Sequence, residues 1–518
     1  MSKPVRAAYL ASIAVDPSAP TPLYRQLYFN MRDAILEGRL KPGARLPATR
    51  PFASDLDVSR NTVVTAFDQL LAEGYIEGRT GAGTYVSRVL PEDLLVARRT
   101  ELQRKPRQAP PRLSRRGAVL AAIRPGGITE PRAFSPRFPE METFPFEDWA
   151  RLLSRRWRNP TRRYLVDSDT AGYRPLREAI AHYLGVARAV QCGPEQILIV
   201  SGSQQALDIA TRALIDPGDS VWVEDPGYAG TVGALTAAGA ELTPVPIDDE
   251  GLDVEAGRRR RPDARLACVS PSHQYPLGVV MTLRRRLALL DWARSADAFI
   301  LEDDYDSEYR YAGRPLTPLR ELDSDGRVIY LGSLSKVMFP SLRMGYMVVP
   351  ESLVDPLRAI RALVDFHPSA VPQAALADFI GEGYLATHIR RMRTLYAERQ
   401  KIMVAAANEH LPDLLTLSPD EAGMHLVGYL RGGPGDDDHI DGAGGPNDRA
   451  ATQCASDAGI TTAALSSYYR ATPGRAGLLL GYAGVPTDEI ITGMSRLATA
   501  LRRNEADWRN CQTGPASI

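Results

Sequence analysis

Short apolar runs recur through most of this chain: Ile197-Leu198-Ile199-Val200, Val221-Trp222-Val223, Leu266-Ala267-Cys268-Val269, Phe299-Ile300-Leu301 and Val328-Ile329-Tyr330-Leu331. Segments of helical periodicity separate them, among them Glu178-Ala179-Ile180-Ala181-His182-Tyr183-Leu184 and Ala206-Leu207-Asp208-Ile209-Ala210. Runs apolar on both faces, alternating with helices, predict an α/β fold around a mostly parallel sheet from about Phe134 onward. Ligands of open α/β sheets collect at the carboxyl ends of the strands, so the residues that follow each run are the first candidates for function.

The last of these runs leads through Gly332-Ser333-Leu334-Ser335 to Lys336, ahead of a further apolar run, Met344-Gly345-Tyr346-Met347-Val348-Val349. Of 62 Lys and Arg, only Lys3, Lys41, Lys105, Lys336 and Lys401 are lysines. Where arginine is the default cation, a lysine at the edge of buried strands indicates that a primary amine is needed. Arginine stays protonated and forms no imine, whereas a desolvated lysine becomes a nucleophile. Lys401, beside Glu398 and Arg399 on a charged helix, reads instead as an exposed face.

The other strand ends supply partners for that amine. Phe299-Ile300-Leu301 ends in Glu302-Asp303-Asp304-Tyr305-Asp306, and Val221-Trp222-Val223 ends in Glu224-Asp225-Pro226-Gly227-Tyr228, with an aromatic ring. Val200 leads into Ser201-Gly202-Ser203-Gln204-Gln205 and a helix, a geometry that points N–H groups and a positive dipole end at a phosphate. A third loop, Ser270-Pro271-Ser272-His273-Gln274-Tyr275-Pro276-Leu277-Gly278, has His273 as loop structure. Pyridoxal phosphate needs both a lysine and an acid that keeps its ring nitrogen protonated.

The N-terminal part differs in charge. Residues 1–130 hold 20 Lys and Arg against 12 Asp and Glu, and the remainder 42 against 50, so a basic piece precedes an acidic body. Leu23, Leu27, Met31 and Ile35 mark one helix face that Gly38 ends; Thr49 is a cap for a second helix, with Pro51 tolerated in its first turn. Ser59 is the N-cap of a third, whose first turn, Arg60-Asn61-Thr62, is polar and basic while Val63, Val64, Phe67, Leu70 and Leu71 are expected to face inward. That suits a recognition helix, whose N-terminal side chains reach base edges in the major groove. Tyr75-Ile76 and Thr84-Tyr85-Val86 predict two strands around the wing Arg79-Thr80-Gly81-Ala82-Gly83.

Leu23-Tyr24-Arg25-Gln26-Leu27, Gly38-Arg39-Leu40-Lys41-Pro42-Gly43, Leu46-Pro47-Ala48-Thr49-Arg50, Val58-Ser59-Arg60-Asn61-Thr62-Val63 and Gly81-Ala82-Gly83-Thr84-Tyr85-Val86, in that order, resemble the winged helix-turn-helix of GntR-family regulators. The resemblance implies double-stranded operator DNA as partner and contacts from Arg50, Arg60 and Thr62, with the wing glycines letting the backbone approach a phosphate. Thr49, Ser59, Asn61, Arg79, Gly81 and Gly83 complete the expected DNA-binding set. Asp57 stands where that family usually has glycine and is expected to tolerate a positive φ.

Residues from about 131 to 505 resemble the fold-type I aminotransferases, in particular the MocR-type regulators, where such a domain follows a GntR-type head. Ser-Gly-Ser-Gln-Gln, Asp-Pro-Gly-Tyr, Glu-Asp-Asp-Tyr-Asp and Ser-Leu-Ser-Lys carry this resemblance. It implies Lys336 as the imine-forming residue and Asp303 as the partner of the pyridine nitrogen. Tyr305 would bond the ring oxygen and Tyr228 would stack on the ring. Ser203, Gln204, Ser333, Ser335 and Arg343 would hold the phosphate, and Arg470, with Arg475 nearby, a ligand carboxylate. It also implies a homodimer. Tyr275 stands where aminotransferases carry asparagine, which counts against efficient transamination.

The expected organisation is a head over 1–88, a Pro- and Arg-rich tether over 89–130, an effector domain over 131–505 and a tail over 506–518. Gly432-Gly433-Pro434 to Pro446 is an acidic, glycine-rich surface insertion. No apolar run is long enough to span a bilayer and the N-terminus has no signal-peptide core, which places the chain in the cytoplasm. Cys192, Cys268, Cys454 and Cys511 have neither metal-site nor disulfide spacing. The leading function is a regulator whose body senses an amine, an amino acid or pyridoxal phosphate itself. The competing one is a working aminotransferase with an accessory DNA-binding head.

Overall fold

A computed structural model describes residues 13–79, 83–90, 112–122, 132–136, 138–162, 166, 169–313, 316–431, 446–471 and 474–509. The chain divides into two compact units, Met1–Arg112 and Leu113–Ile518. Gly81, most of the expected tether, most of the acidic insertion and residues 510–518 lie outside the described residues.

In the first unit α1 (Leu23–Leu36), α2 (Thr49–Asp55) and α3 (Arg60–Ala72) precede the antiparallel pair β1 (Ile76–Arg79) and β2 (Gly83–Val86). Leu27, Met31, Phe52, Val63, Phe67 and Leu70 close one core, with the Phe52 and Phe67 rings 5.9 Å apart. Residues 43–46 add a third extended segment to β2 through Gly43 N–H to Val86 O, Val86 N–H to Ala44 O and Leu46 N–H to Thr84 O. Thr49 is not the cap expected of it. It is the first residue of α2, behind Ala48. Pro51 would stand second in a helix capped by Thr49, and it has no N–H to donate to that hydroxyl. Ser59 does cap α3, accepting from Thr62 N–H at 3.1 Å, and Asp57 has a φ of 51°.

The second unit is built on β3 (Ile197–Val200), β4 (Ser220–Asp225), β5 (Glu241–Asp248), β6 (Gly251–Leu252), β7 (Leu266–Val269), β8 (Phe299–Asp304), β9 (Val328–Ser333) and β10 (Gly345–Val348), in the order β3-β10-β9-β8-β7-β4-β5-β6. The pairs β9-β8, β8-β7, β7-β4 and β4-β5 are parallel; β10 lies antiparallel between β3 and β9. One face is closed by Trp222 of β4 stacked on Trp292, with centroids 3.8 Å apart. A Cβ on Gly257 would fall 2.8 Å from the Trp222 ring, so only glycine lets the helix Val254–Arg260 approach so closely. A smaller antiparallel sheet, β11 (Leu415–Leu417), β12 (His425–Leu430), β14 (Gly477–Gly481) and β13 (Ala463–Ala464), has its own core with the 27-residue helix Tyr384–His410.

Within the stretch expected to be extended, Arg115–Ala122 is a helix packed on Ala229–Ala238. Its Leu120 is half-buried, whereas Val119 stays exposed. Among the described residues no helix is long and apolar enough to cross a membrane, and no group of acidic, His or Cys side chains could hold a metal ion.

Candidate functional site

The parallel strands β4, β7, β8 and β9 deliver their carboxyl ends to one edge, with Asp303 opposite Leu331 and Asp304 opposite Gly332. The sequence suggested that β8 stops at Leu301, but it runs on through the three acids. Strand alternation then separates them. Glu302 accepts from Leu319 N–H and Arg320 N–H, each at 2.9 Å. Asp304 pairs with buried Arg188 at 2.5 Å and with the Tyr330 hydroxyl. Asp303, on the opposite face, accepts no hydrogen bond from any described residue. Burial, with Asp304 and Asp306 nearby, pushes it up to about 7, and the charge of Lys336 pulls the other way.

Asp303 lines an open cleft together with Tyr228, Glu224, Ser270, Cys268 and Thr231. Glu224, pushed up to about 8 by burial, accepts from Ser270 N–H at 2.9 Å and from Gln274 Nε2 at 3.2 Å. Those bonds tie the loop after β7 to β4. Lys336 is half-buried in the turn after β9, which the Ser335 hydroxyl closes by bonding both the N–H and the carbonyl of Met344. The Ser335 hydroxyl, expected at a phosphate, is therefore engaged in shaping the lysine's turn.

At the start of the helix Ser203–Leu214, the amides of Gln205 and Ala206 bond the Gly202 carbonyl, leaving those of Ser203 and Gln204 as helix-start donors. Arg343, at a φ of 48°, lays its guanidinium over Gly202: a Cβ there would stand 3.6 Å from Nη2. Arg343 has no carboxylate partner among the described residues. Ser333 ends β9 next to this corner, paired with Gly345. A Cβ on Gly230 would collide with both Gln204 Nε2 and the Tyr228 ring, so these two sit side by side.

Two loops from the C-terminal third reach the same edge. Asp225 accepts from Arg470 N–H at 2.6 Å and Ala471 N–H at 3.0 Å, and Gly227 N–H reaches Tyr468 O. The Tyr468 hydroxyl lies 3.0 Å from that of Tyr275, whose ring packs edge-on to Tyr228, Tyr305 and His425. Arg470 leaves its guanidinium exposed, whereas Arg475 stacks 4.6 Å over Tyr429. His273 is no mere loop residue. It is buried, with Nδ1 2.8 Å from Asp306 and 3.0 Å from the Tyr305 hydroxyl, and Nε2 3.2 Å from Asp420. Its partners are 33 and 147 residues away, so no local pattern could have revealed them.

In the head, Arg50, Arg60 and Asn61 are exposed at the starts of α2 and α3, and the Ser59 hydroxyl meets that of Thr62 at 2.8 Å. Arg79 is paired with Glu77 at 2.7 Å and lies 4.6 Å over the Tyr85 ring, so its charge is already partly neutralised. Arg45, which the sequence did not single out, is paired with Tyr85 across the sheet and lies over Gly83, where a Cβ would be 3.2 Å from its Nε.

A winged helix and a sheet edge of this kind define a DNA-binding regulator with an aminotransferase-like body. Residues 23–86 match the family described as "Bacterial regulatory proteins, gntR family", and residues 137–475 match "Aminotransferase class I and II". The chain belongs to the MocR-type transcriptional regulators of the GntR family. It is similar to the "Probable rhizopine catabolism regulatory protein MocR" of Rhizobium meliloti, 44% identical over 94% of this chain and 96% of the relative. The "HTH-type pyridoxine biosynthesis transcriptional regulator PdxR" of Corynebacterium glutamicum is 32% identical over 94% and 98%. Among solved structures, Pyrococcus horikoshii kynurenine aminotransferase in complex with PMP has a TM-score of 0.65 at 27% identity, covering 78% of this chain and 98% of that one.

Proposed function

We propose that this regulator binds pyridoxal phosphate at the sheet edge around Lys336 and reports an amine or amino acid, arriving there, to operator DNA held by the head. The observation that carries the reading is Asp303: a half-buried carboxylate that accepts no hydrogen bond from any described residue, within reach of the charge on Lys336. A protonated ring nitrogen is the partner such a carboxylate lacks.

The remaining groups fit the same occupant. Arg343 over Gly202 and the Ser203 and Gln204 amides suit a phosphate, with Ser333 beside them. Tyr228 offers a ring face and Tyr305 a hydroxyl. When bound, pyridoxal phosphate supplies an aldehyde for which Lys336 and an incoming primary amine compete. The chain's own contribution is to hold the Lys336 amine in a turn fixed by Ser335 and to set the linked Tyr275–Tyr468 pair beside Tyr228 and Tyr305. Tyr275, where aminotransferases carry asparagine, favours sensing over turnover. Arg470, exposed but anchored through its backbone to Asp225, is the candidate for a ligand carboxylate.

For an effector to act, two conformers of the body must bind it unequally and present the heads differently. A homodimer would offer two heads to two half-sites, consistent with a protein of the cytoplasm acting on DNA. The test is a screen of amines and amino acids on the loaded protein, following the cofactor's absorbance and operator affinity together. The reading expects at least one compound to change both. Operator affinity that responds to pyridoxal phosphate yet ignores every amine that alters the absorbance would contradict the sensing half.

A further inference from the structure

Both ring nitrogens of His273 face carboxylates from different parts of the body: Asp306 just beyond β8, and Asp420 ahead of β12 in the smaller-sheet region. Two glycines close over the ring. A Cβ on Gly423 would collide with the imidazole, and one on Gly278 would collide with Asp420 and stand 3.2 Å from Nε2. The remaining polar neighbours are the Tyr305 hydroxyl at 3.0 Å and the His425 ring, 6.0 Å away. Resting on the reading that the site takes pyridoxal phosphate, we propose that His273 is a positioning residue: held as an imidazolium between Asp306 and Asp420, it obliges Tyr305 to donate its hydroxyl proton into the cofactor site.

An imidazole facing a carboxylate on each nitrogen is protonated on both, since an unprotonated nitrogen would set a lone pair against a carboxylate. Nδ1–H is then shared between Asp306 and Tyr305, so the tyrosine oxygen accepts there. Among the described residues the Tyr305 hydroxyl has no hydrogen-bond partner besides His273, not even Asp306 Oδ1, which is itself without one, and this leaves the hydrogen for the pocket and a phenolate oxygen. Charge supports the geometry: burial opposes the imidazolium, but the two carboxylates outweigh it and push His273 up to about 10. Burial and the His273 charge hold His425 down at about 4, which keeps the positive charge on a single ring. Asp420 also makes this contact a strap across to the smaller sheet.

The experiment titrates the full chain, loaded with pyridoxal phosphate, by following the absorbance of the Lys336-bound cofactor against pH. Donation to the ring oxygen stabilises its anionic form, so losing it raises the titration midpoint. His273→Leu is expected to raise the midpoint by about one pH unit, as is Tyr305→Phe, with no further rise in the double variant. His273→Gln, which keeps one amide donor, should restore part of the shift. Should His273→Leu fail to fold, Asp420→Asn, which weakens the charge on His273, is expected to raise the midpoint by less. Midpoints unchanged in the folded His273 or Asp420 variants overturn the proposal, as does a shift that adds in full to that of Tyr305→Phe. An unmodified protein that acquires no such absorbance refutes the cofactor reading, and this proposal falls with it.

Discussion

Lys336 and Asp303 carry most of the account, and their chemistry makes the sharpest demands. Glu224 is pushed up to about 8, and Glu302, Asp303 and Glu308 to about 7, with burial the largest cause each time. These carboxyls hold protons more tightly folded than unfolded. Their stabilising contribution is complete below the unfolded carboxylate range and is lost as pH rises through about 7 to 8. His273, pushed up to about 10, contributes in the same sense, but its loss comes at higher pH. The melting temperature of the body should therefore fall between about pH 5 and pH 8, and Asp303→Asn should flatten part of that slope. Saturating pyridoxal phosphate should flatten it too, because a protonated ring nitrogen favours ionised Asp303. Calorimetry across that range checks both, and a melting temperature that rises toward pH 8 contradicts the burial argument. In the head, Arg60→Ala is expected to weaken operator binding by about 1–3 kcal/mol, whereas Arg79→Ala, already paired with Glu77, should cost much less. Titrations of labelled operator DNA at fixed salt would separate the two.

At the scale of elements, the strands and the recognition helix were legible because each carries a periodic pattern or a local cap. Ser59 declared α3, and removing its hydroxyl in Ser59→Ala should destabilise the head by about 1 kcal/mol. A domain of that size would then melt about 4–8 °C lower, measurable on the isolated transition of the head. Thr49 misled because the sequence rule for caps gives too little weight to a proline in the first turn. The end of β8 misled because strands were expected to stop at charge, whereas Glu302 and Asp304 are each matched by a partner behind the sheet. Trp222 was read as part of a strand, but its stack on Trp292 joins positions with no sequence relation. Trp292→Ala should cost about 3–5 kcal/mol in denaturant unfolding of the body. The site's acids, lysine and helix start were visible at strand ends. His273, Tyr468 and Arg45 were not, since each acquires meaning only through residues brought to it by the fold.

Across the whole molecule, a basic head and an acidic body divide the work. DNA affinity is expected to fall steeply with salt if exposed Arg45, Arg50 and Arg60 meet phosphates, while cofactor absorbance should respond less, since Asp303 and Lys336 are half-buried. Family membership fixes the pairing of these two parts, and the sheet edge gives the body its chemistry. Sensing through the body requires that Lys336 capture pyridoxal phosphate. The most direct measurement is peptide mass mapping after the full chain is mixed with pyridoxal phosphate and reduced with borohydride. A pyridoxyl adduct is expected on the peptide containing Lys336, and its disappearance in Lys336→Ala. A protein that carries no adduct there, or carries it only on exposed Lys401, would contradict capture at Lys336.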